Sequence, residues 1–222
     1  MKNRSGETYL SVFSDKKYRL IILDMDGTLY YQRSMQILMC MEMLLYAFGH
    51  PFALWKLRVI SIFRKTREKS SCGMNVYAYV AEKLGRNEYD IQQIIEEWMF
   101  KRPIKHMKYC CDYKLCEWIA KWKAQNKRVV IYSDYPVKDK CTALGIHPDA
   151  MYFSDEDRIG ELKPSAKGIE IISEDFLIDP KEILVVGDRD SKDGKMAETA
   201  GCDYLILKKW KFFRMTKYNN FL

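Results

Sequence analysis

Five short apolar runs recur along the chain, and they predict the strands of a parallel sheet. Each run is continuously apolar and rich in β-branched residues, rather than alternating between apolar and polar positions. This pattern is typical of strands that are covered by helices on both faces. The runs are RLIILD (19–24), RVVIYS (128–133), the weaker AMYFS (150–154), EILVVGD (182–188) and DYLIL (203–207).

Segments with helical periodicity lie between these runs. LCEWIAKWKAQN precedes the second run, PVKDKCTALG follows it with Pro136 at a first-turn position, and DGKMAETAG precedes the fifth run. The last two segments end at Gly145 and Gly201, as helices commonly do. Alternating strands and helices predict an α/β fold with a doubly wound, mostly parallel, Rossmann-like sheet.

The interval between the first and second runs is about a hundred residues long, far more than one crossover helix needs. We therefore expect a core formed by residues 1–30 and 106–222, with a second domain inserted at 31–105. The insertion has a helical pattern in MQILMCMEMLLYAF, LWKLRVISIFRKTREK, NVYAYVAEKLG and EYDIQQIIEEWMF. Met and Leu recur there at helical spacing, which predicts that they form the core of that domain.

The composition, with 48% hydrophobic and 30% charged residues, is that of a globular protein. The net charge of +7 is concentrated in residues 56–69 and in the aromatic, basic tail at 208–217. We expect both segments to be solvated, although cationic runs also suit an anionic substrate, an acidic partner or a membrane surface. Charges interrupt the most apolar stretch, 35–63, so no transmembrane segment is predicted. No nucleic-acid partner is expected.

Seven cysteines, an odd number, lack the regular spacing of a disulfide framework. The N-terminal residues also lack the continuous apolar segment of a secretory signal, so we expect the reduced cytoplasm as the compartment. Cys110, Cys111 and Cys116 form a cluster, but they do not provide the paired halves of a zinc site. The sequence predicts that these three are small buried side chains.

Polar residues follow the apolar runs, at the carboxyl ends of strands where open α/β sheets bind ligands. They are Asp24 and Asp26 in LDMDGTLY, Ser133 and Asp134 in YSDYP, Lys163 in ELKPSAKG, and Asp188 and Asp193 in GDRDSKD. Asp24 and Asp26 stand two positions apart in an extended segment, so both side chains project to the same side. Crowded carboxylates suit a hard cation such as Mg²⁺, which prefers oxygen ligands.

These residues, taken in order along the chain, resemble the motifs of the haloacid dehalogenase superfamily of phosphohydrolases. LDMDGTLY is similar to the first motif, YSDYP to the second, LKP to the third and GDxxxxD to the fourth. Residues 31–105 occupy the place where many members carry a helical cap domain. The resemblance implies a Mg²⁺-dependent phosphatase that acts on a small phosphorylated metabolite through an aspartyl-phosphate.

The resemblance also implies a role for the residues that carry the reaction. Asp24 would be the nucleophile. Asp26 would act as general acid for the leaving alcohol and then as the base that activates water. Ser133 and Lys163 would bind the phosphate. A departing halide needs no proton whereas an alkoxide does, so Asp26 disfavours dehalogenation.

The remaining matching residues would support the metal and the loop. The resemblance implies metal ligation by Asp24, Asp188 and the backbone carbonyl of Asp26, with Asp193 orienting the site. Gly27 would let the backbone turn close to the ligand, and Thr28 would fix the Asp26 side chain.

Two alternatives stay open at this point. The same site could pass the phosphoryl group to an acceptor other than water, as phosphomutases of this superfamily do. The chain could instead be a non-catalytic module that binds through the basic run 56–69 or, less favoured, through the tail. Asp26 argues against that module, because binding alone requires no acid or base. We expect Arg189 and Asp190, beside Asp188, to form a local surface pair without a catalytic role.

Overall fold

The computed structural model describes residues 18–70 and 74–207. Residues 1–17, on which the prediction of the compartment partly rests, and the basic aromatic tail, for which a surface contact was considered, lie outside the described residues. The chain divides into two compact units. One contains 18–32 and 111–207 of the described residues, and the other is Arg33–Cys110. We refer to them as the sheet unit and the helical unit.

The sheet unit is built on five parallel strands. They are β1 (Leu20–Leu23), β2 (Arg128–Ser133), β3 (Ala150–Phe153), β4 (Ile183–Gly187) and β5 (Asp203–Ile206). Their order in space is β3-β2-β1-β4-β5, with Leu23 paired with Ile131 on one side and Val186 on the other. This all-parallel sheet confirms the predicted doubly wound α/β core, and it brings the ends of β1, β2 and β4 together.

The helical unit contains no strand among its described residues. Its α-helices are α1 (Gln32–Gly49), α2 (Trp55–Lys69), α3 (Val76–Leu84), α4 (Glu88–Ile95), α5 (Arg102–Ile104) and α6 (Met107–Cys110). A 3₁₀ turn, Pro51–Leu54, joins α1 to α2, and a π-helical segment, Glu96–Lys101, follows α4. None of the helices in the described ranges has the length and apolar character that crossing a membrane requires.

The core of the helical unit is formed by α2, α3 and α4, which bury Phe63, Val80 and Ile91. Helix α1 buries only Met35 and Met43. The expectation that the Met and Leu residues of α1 form a core is therefore wrong for much of this helix. The helix is apolar around most of its circumference, so periodicity alone does not identify the face that packs inward.

Four α-helices accompany the strands of the sheet unit. They are α7 (Tyr113–Ala124), α8 (Lys138–Leu144), α9 (Lys167–Phe176) and α10 (Lys195–Ala200). Gly145 and Gly201 follow the ends of α8 and α10, as predicted. Helix α8 begins two residues after Pro136, contrary to the first-turn prediction. The reason is a preceding turn, in which the Tyr135 backbone N–H donates to the Ser133 hydroxyl over 3.3 Å.

Candidate active site

The candidate site lies at the carboxyl ends of the three central strands. Asp24 follows β1 directly, and its backbone N–H donates to the Val186 carbonyl over 2.9 Å, which extends the ladder between β1 and β4. Ser133 is the last residue of β2, and Asp188 follows β4. Parallel strands end at the same edge of a sheet, so residues distant in sequence become neighbours here.

Lys163 forms the centre of this charged cluster. Its Nζ donates to Asp24 Oδ1 and to Asp193 Oδ1, each over 2.8 Å. The Lys163 side chain is only 2% exposed. Burial alone would lower the pKa of Lys163, but the carboxylates of Asp24 and Asp193 raise it above the usual range. The ammonium therefore stays charged inside the protein.

Asp24 is held from two sides. Oδ1 accepts from Lys163, and Oδ2 accepts from the Thr28 hydroxyl over 3.2 Å. Thr28 therefore helps to fix Asp24. Burial raises the pKa of Asp24 to about 7; Lys163 opposes that rise and the charge of Asp193 adds to it. A nearby cation would favour the ionised form.

Asp24, Asp188 and Asp193 form a group that could hold a metal ion. One carboxylate oxygen from each residue lies within 4.8 Å of the others, and all three residues are buried. Three hard oxygen donors fit Mg²⁺ or another hard divalent cation. Asp193 is already engaged through both oxygens, Oδ1 by Lys163 and Oδ2 by the Arg189 backbone N–H over 3.1 Å. Asp24 is engaged in the same way, by Lys163 and Thr28, so these hydrogen bonds do not rank Asp24 above Asp193 as a ligand.

Gly27 lets the loop after β1 pack directly against Asp188. Its φ is +92°, and a Cβ at this position would lie 2.5 Å from Asp188 Oδ2. Any side chain would thus meet the carboxylate and also strain the backbone. The loop after β1 therefore approaches the Asp188 carboxylate as only glycine allows.

Asp26 is oriented by two residues that the sequence reasoning missed. Its Oδ1 accepts from Lys140 Nζ and from the Tyr30 hydroxyl, each over 2.5 Å. The side chain of Lys140 is 8% exposed, although lysine is rarely buried without a partner. A signal existed in the sequence, because Lys140 stands three positions after the apolar Val137, a spacing that puts both on one side of the predicted helix.

Asp134 connects the loops around the site. Its Oδ1 accepts from the Ser154 hydroxyl and from the backbone N–H of Lys163, each over 3.0 Å, and its Oδ2 accepts from Lys192 Nζ over 2.9 Å. Burial would raise the pKa of Asp134, but Lys163 and Lys192 hold it below the usual range. The ionised carboxylate therefore fixes the backbone from which Lys163 projects. Ser133, next to it, is buried.

Arg189 contributes charge to the site. Its Nε lies 3.8 Å from Asp188 Oδ1. Asp24 and Asp188 also raise the pKa of Arg189, although burial acts in the opposite direction. The guanidinium that was expected to serve only a local pair with Asp190 therefore faces the acidic cluster.

Comparisons with known proteins place this geometry in context. The profile of the haloacid dehalogenase-like hydrolases matches residues 18–201. A search of curated proteins found no match. Several solved structures resemble the chain at identities that show the fold alone.

YfnB from Bacillus subtilis, bound to magnesium, has a TM-score of 0.62 at 15% identity, covering 86% of this chain and 89% of that one. A variant of CbbY from Rhodobacter sphaeroides in complex with xylulose 1,5-bisphosphate has a TM-score of 0.54 at 17% identity, with 86% of each chain covered. A 2-haloacid dehalogenase from Pseudomonas syringae has a TM-score of 0.57 at 17% identity, covering 87% and 90%.

Proposed function

The chain belongs to the haloacid dehalogenase-like hydrolases, and within that family we propose that it is a Mg²⁺-dependent phosphatase acting on a small phosphorylated metabolite. The observation that carries the proposal is the buried ammonium of Lys163, 2.8 Å from both Asp24 and Asp193, with Asp188 in the same cluster. A cation beside a strand-end carboxylate suits the attack of that carboxylate on an anionic phosphoryl group.

The reaction would proceed in two steps. Asp24 attacks phosphorus, and the bond from phosphorus to the leaving oxygen breaks while Asp26 gives that oxygen a proton. Water then attacks the phosphorus of the aspartyl-phosphate, Asp26 takes a proton from that water, and the Asp24 carboxylate is released together with inorganic phosphate. Ser133 and Lys163 bind the phosphoryl oxygens throughout.

The first step requires ionised Asp24, whose pKa is about 7 in the buried cluster. Bound Mg²⁺, held by Asp24, Asp188 and the Asp26 backbone carbonyl, would favour the carboxylate form and neutralise charge on the phosphoryl group. Asp193 uses one oxygen on Lys163 and the other on the Arg189 backbone, so its proposed role is to orient Lys163.

The contacts of Asp26 favour a phosphate ester over a haloacid as the substrate. An alkoxide leaving group needs a proton. Asp26 gives it from its acid form, and Lys140 and Tyr30 hold the Asp26 carboxyl group in one orientation for that transfer. A halide leaves without a proton, so this arrangement would serve no purpose in dehalogenation. The fold resemblance to a 2-haloacid dehalogenase therefore does not extend to the reaction proposed here.

The helical unit, Arg33–Cys110, is proposed to act as the cap that selects the substrate. In the proposed site, residues of the sheet unit bind the phosphate group and the metal ion. Every phosphate monoester carries the same phosphate group, so these contacts do not distinguish one ester from another. Selection among esters then depends on other parts of the chain. We retain the cytoplasm as the predicted location and a small phosphorylated compound as the predicted partner.

The phosphatase proposal is tested by replacing Asp24 with Asn. Asp24→Asn keeps the shape of the side chain and removes the nucleophile, so Mg²⁺-dependent hydrolysis of p-nitrophenyl phosphate should fall by on the order of a thousandfold or more. Far-UV circular dichroism should be unchanged. Asp139→Asn, at an exposed position in α8, is the matched control and should keep full activity. Full activity of Asp24→Asn would refute the proposed nucleophile.

The phosphomutase alternative uses the same residues and differs only in the acceptor. Incubation with a sugar bisphosphate distinguishes the two reactions, because a phosphatase releases inorganic phosphate and a mutase yields an isomerised sugar phosphate. The non-catalytic alternative predicts no turnover of any phosphate ester in the presence of Mg²⁺.

A further inference from the structure

Helix α1 presents an apolar stripe to solvent. Ile37, Met41, Leu44, Leu45 and Phe48 are exposed by 55% to 89%. With 3.6 residues per turn, these five side chains fall within an arc of about 100° of the helix circumference. The buried Met35 and Met43 lie on the opposite side of the helix. Helix α1 therefore has one apolar face that packs within the helical unit and another that faces outward.

The stripe continues past the end of α1. Phe52 and Leu54 in the 3₁₀ turn are exposed, Phe52 by 86%, and Leu57 in the first turn of α2 is also exposed. We call the five side chains of α1 together with these three the outer apolar patch. Exposed apolar residues are ordinary when scattered, but eight large ones within residues 37–57, five of them in one stripe of α1, indicate an interaction surface.

The helix that follows the patch carries cations on its exposed side. Helix α2 contains six basic residues and one acidic residue, Glu68. Arg58, Arg64, Lys65 and Lys69 are among its exposed side chains. Protruding apolar side chains followed by a cluster of cations are typical of segments that lie on an anionic lipid surface, with the apolar groups in the boundary between headgroups and acyl chains.

We propose that the outer apolar patch and the cations of α2 form a surface that binds anionic membranes. Phe48 and Phe52 would enter the headgroup boundary, and Arg58, Arg64, Lys65 and Lys69 would contact lipid phosphates. This surface lies wholly in the helical unit and does not depend on the proposed phosphatase reaction. It would place the proposed catalytic unit at the membrane surface.

Two features favour lipid over a protein partner. A second copy of this chain would bring two strongly basic α2 helices towards each other, and like charges at an interface are unfavourable. In addition, Phe48 and Phe52 protrude almost completely beside the cations of α2, and an anionic lipid surface offers partners for both kinds of group. A lipid boundary accepts protruding side chains without a preformed pocket.

Co-sedimentation of the full chain with vesicles tests the proposal. One vesicle preparation contains phosphatidylcholine alone, and the other contains equal parts of phosphatidylcholine and phosphatidylglycerol. The chain should sediment with the mixed vesicles and much less with phosphatidylcholine alone. Added salt should weaken the binding, because it screens the attraction between cations and lipid phosphates.

Two variants separate the apolar and the electrostatic contributions. Phe48→Gln with Phe52→Gln should weaken binding by on the order of tenfold or more, because it removes two inserted apolar side chains. Leu177→Gln is the control, since Leu177 is 87% exposed but lies in the sheet unit. It should bind like the unmodified chain.

The electrostatic variant is Arg64→Gln with Lys65→Gln. It should weaken binding to the mixed vesicles by about fivefold per cation and leave binding to phosphatidylcholine unchanged. Lys121→Gln with Lys181→Gln removes the same charge from exposed positions of the sheet unit and should have little effect. All four variants change exposed residues, so thermal unfolding and hydrolysis of a soluble aryl phosphate should be unchanged.

Several results would overturn the proposal. One is failure to sediment with mixed vesicles, and another is equal binding by the Phe48→Gln/Phe52→Gln variant. Equal binding to both vesicle types would refute the role of lipid charge. A dimer detected by light scattering in the unmodified chain, and lost in the double phenylalanine variant, would assign the patch to a second copy. If the protein proved inactive as a phosphatase, the sedimentation and light-scattering results would still decide this proposal.

Discussion

The two units of this protein place charged and apolar groups in opposite ways. In the sheet unit the Lys163 side chain is 2% exposed and lies between two carboxylates. In the helical unit Phe48 is 89% exposed, in a stripe of apolar side chains. Burying charge and exposing apolar surface are each unfavourable for a folded protein. Each arrangement therefore indicates function, and the difference suggests that reaction and attachment reside in separate units.

Among the variants that test this difference between the units, Lys163→Met should have the largest effect on stability. The variant keeps the length of the side chain but leaves Asp24 and Asp193 buried without their shared ammonium. We expect a loss of about 3 to 5 kcal/mol in the free energy of unfolding, measured by urea denaturation. Lys65→Met, at an exposed position of the helical unit, should change it by less than about 0.5 kcal/mol. Equal losses in both variants would refute the contrast between the units.

The next effect concerns the orientation of Asp26. Lys140→Gln removes the ammonium that contacts Asp26 Oδ1, so proton transfer to the leaving group should become inefficient. Hydrolysis of an alkyl phosphate should fall by on the order of a hundredfold. Hydrolysis of p-nitrophenyl phosphate, whose leaving group needs little protonation, should fall much less.

Lys138→Gln changes an exposed lysine in the same helix and serves as the control for Lys140→Gln. It should leave both rates unchanged. An equal loss on alkyl and aryl substrates in Lys140→Gln would show that Lys140 acts on the structure of the site in general, and not on proton transfer.

A third comparison uses one glycine from each unit. Gly27 and Gly85 both have positive φ, +92° and +60°, but a Cβ on Gly27 would meet Asp188 whereas a Cβ on Gly85 would meet open space. Gly27→Ala should raise the Mg²⁺ concentration needed for half-maximal activity by on the order of tenfold, because it displaces a proposed ligand. Gly85→Ala should lose stability but keep the Mg²⁺ dependence. The same Mg²⁺ dependence in both variants would contradict Asp188 as a ligand.

The last comparison concerns the dependence of stability on pH in the metal-free protein. The pKa of Asp24 is about 7 in the folded state, against an ordinary value of 3.8. The folded state therefore holds a proton that the unfolded state has released, so this group makes the protein less stable as pH rises from about 4 to about 7. Mg²⁺ should counter the loss by binding the ionised form.

Urea denaturation in the presence of a chelator measures this pH dependence, with Asp24→Asn as the control that should lack the contribution. If the stability of the metal-free protein changed between pH 4 and pH 7 in the same way as that of Asp24→Asn, the raised pKa of Asp24 would be contradicted.

The sequence predicted the sheet and the positions of the strand-end residues, because continuous apolar runs identify buried strands and polar residues follow them. It did not predict which side chains meet. Lys140 and Asp26 are 114 residues apart, and their contact depends on how α8 packs. The contact of the Thr28 hydroxyl with Asp24 was not predicted either, since Asp24 and Asp26 stand on the same side of the segment.

The outward face of α1 was also beyond reach from the sequence. An amphipathic helix shows its buried face by periodicity, but α1 is apolar on both sides. Periodicity then predicts that a helix forms, but it does not predict which face of the helix is buried. Tertiary packing decides that Met35 and Met43 are buried while Leu45 and Phe48 are exposed.

Detection of phosphorylated Asp24 tests the central claim most directly. The protein is mixed with Mg²⁺ and a substrate labelled in its phosphate, quenched with acid and digested, and the label is located by peptide mass spectrometry. We predict that the unmodified protein carries label on Asp24 and that Asp24→Asn carries none. With an aryl phosphate, Asp26→Asn should carry more label than the unmodified protein, because the water that hydrolyses the intermediate is then poorly activated. The proposed reaction would be contradicted if substrate were hydrolysed while neither the unmodified protein nor Asp26→Asn carried label on Asp24. Label on a different residue would also contradict it.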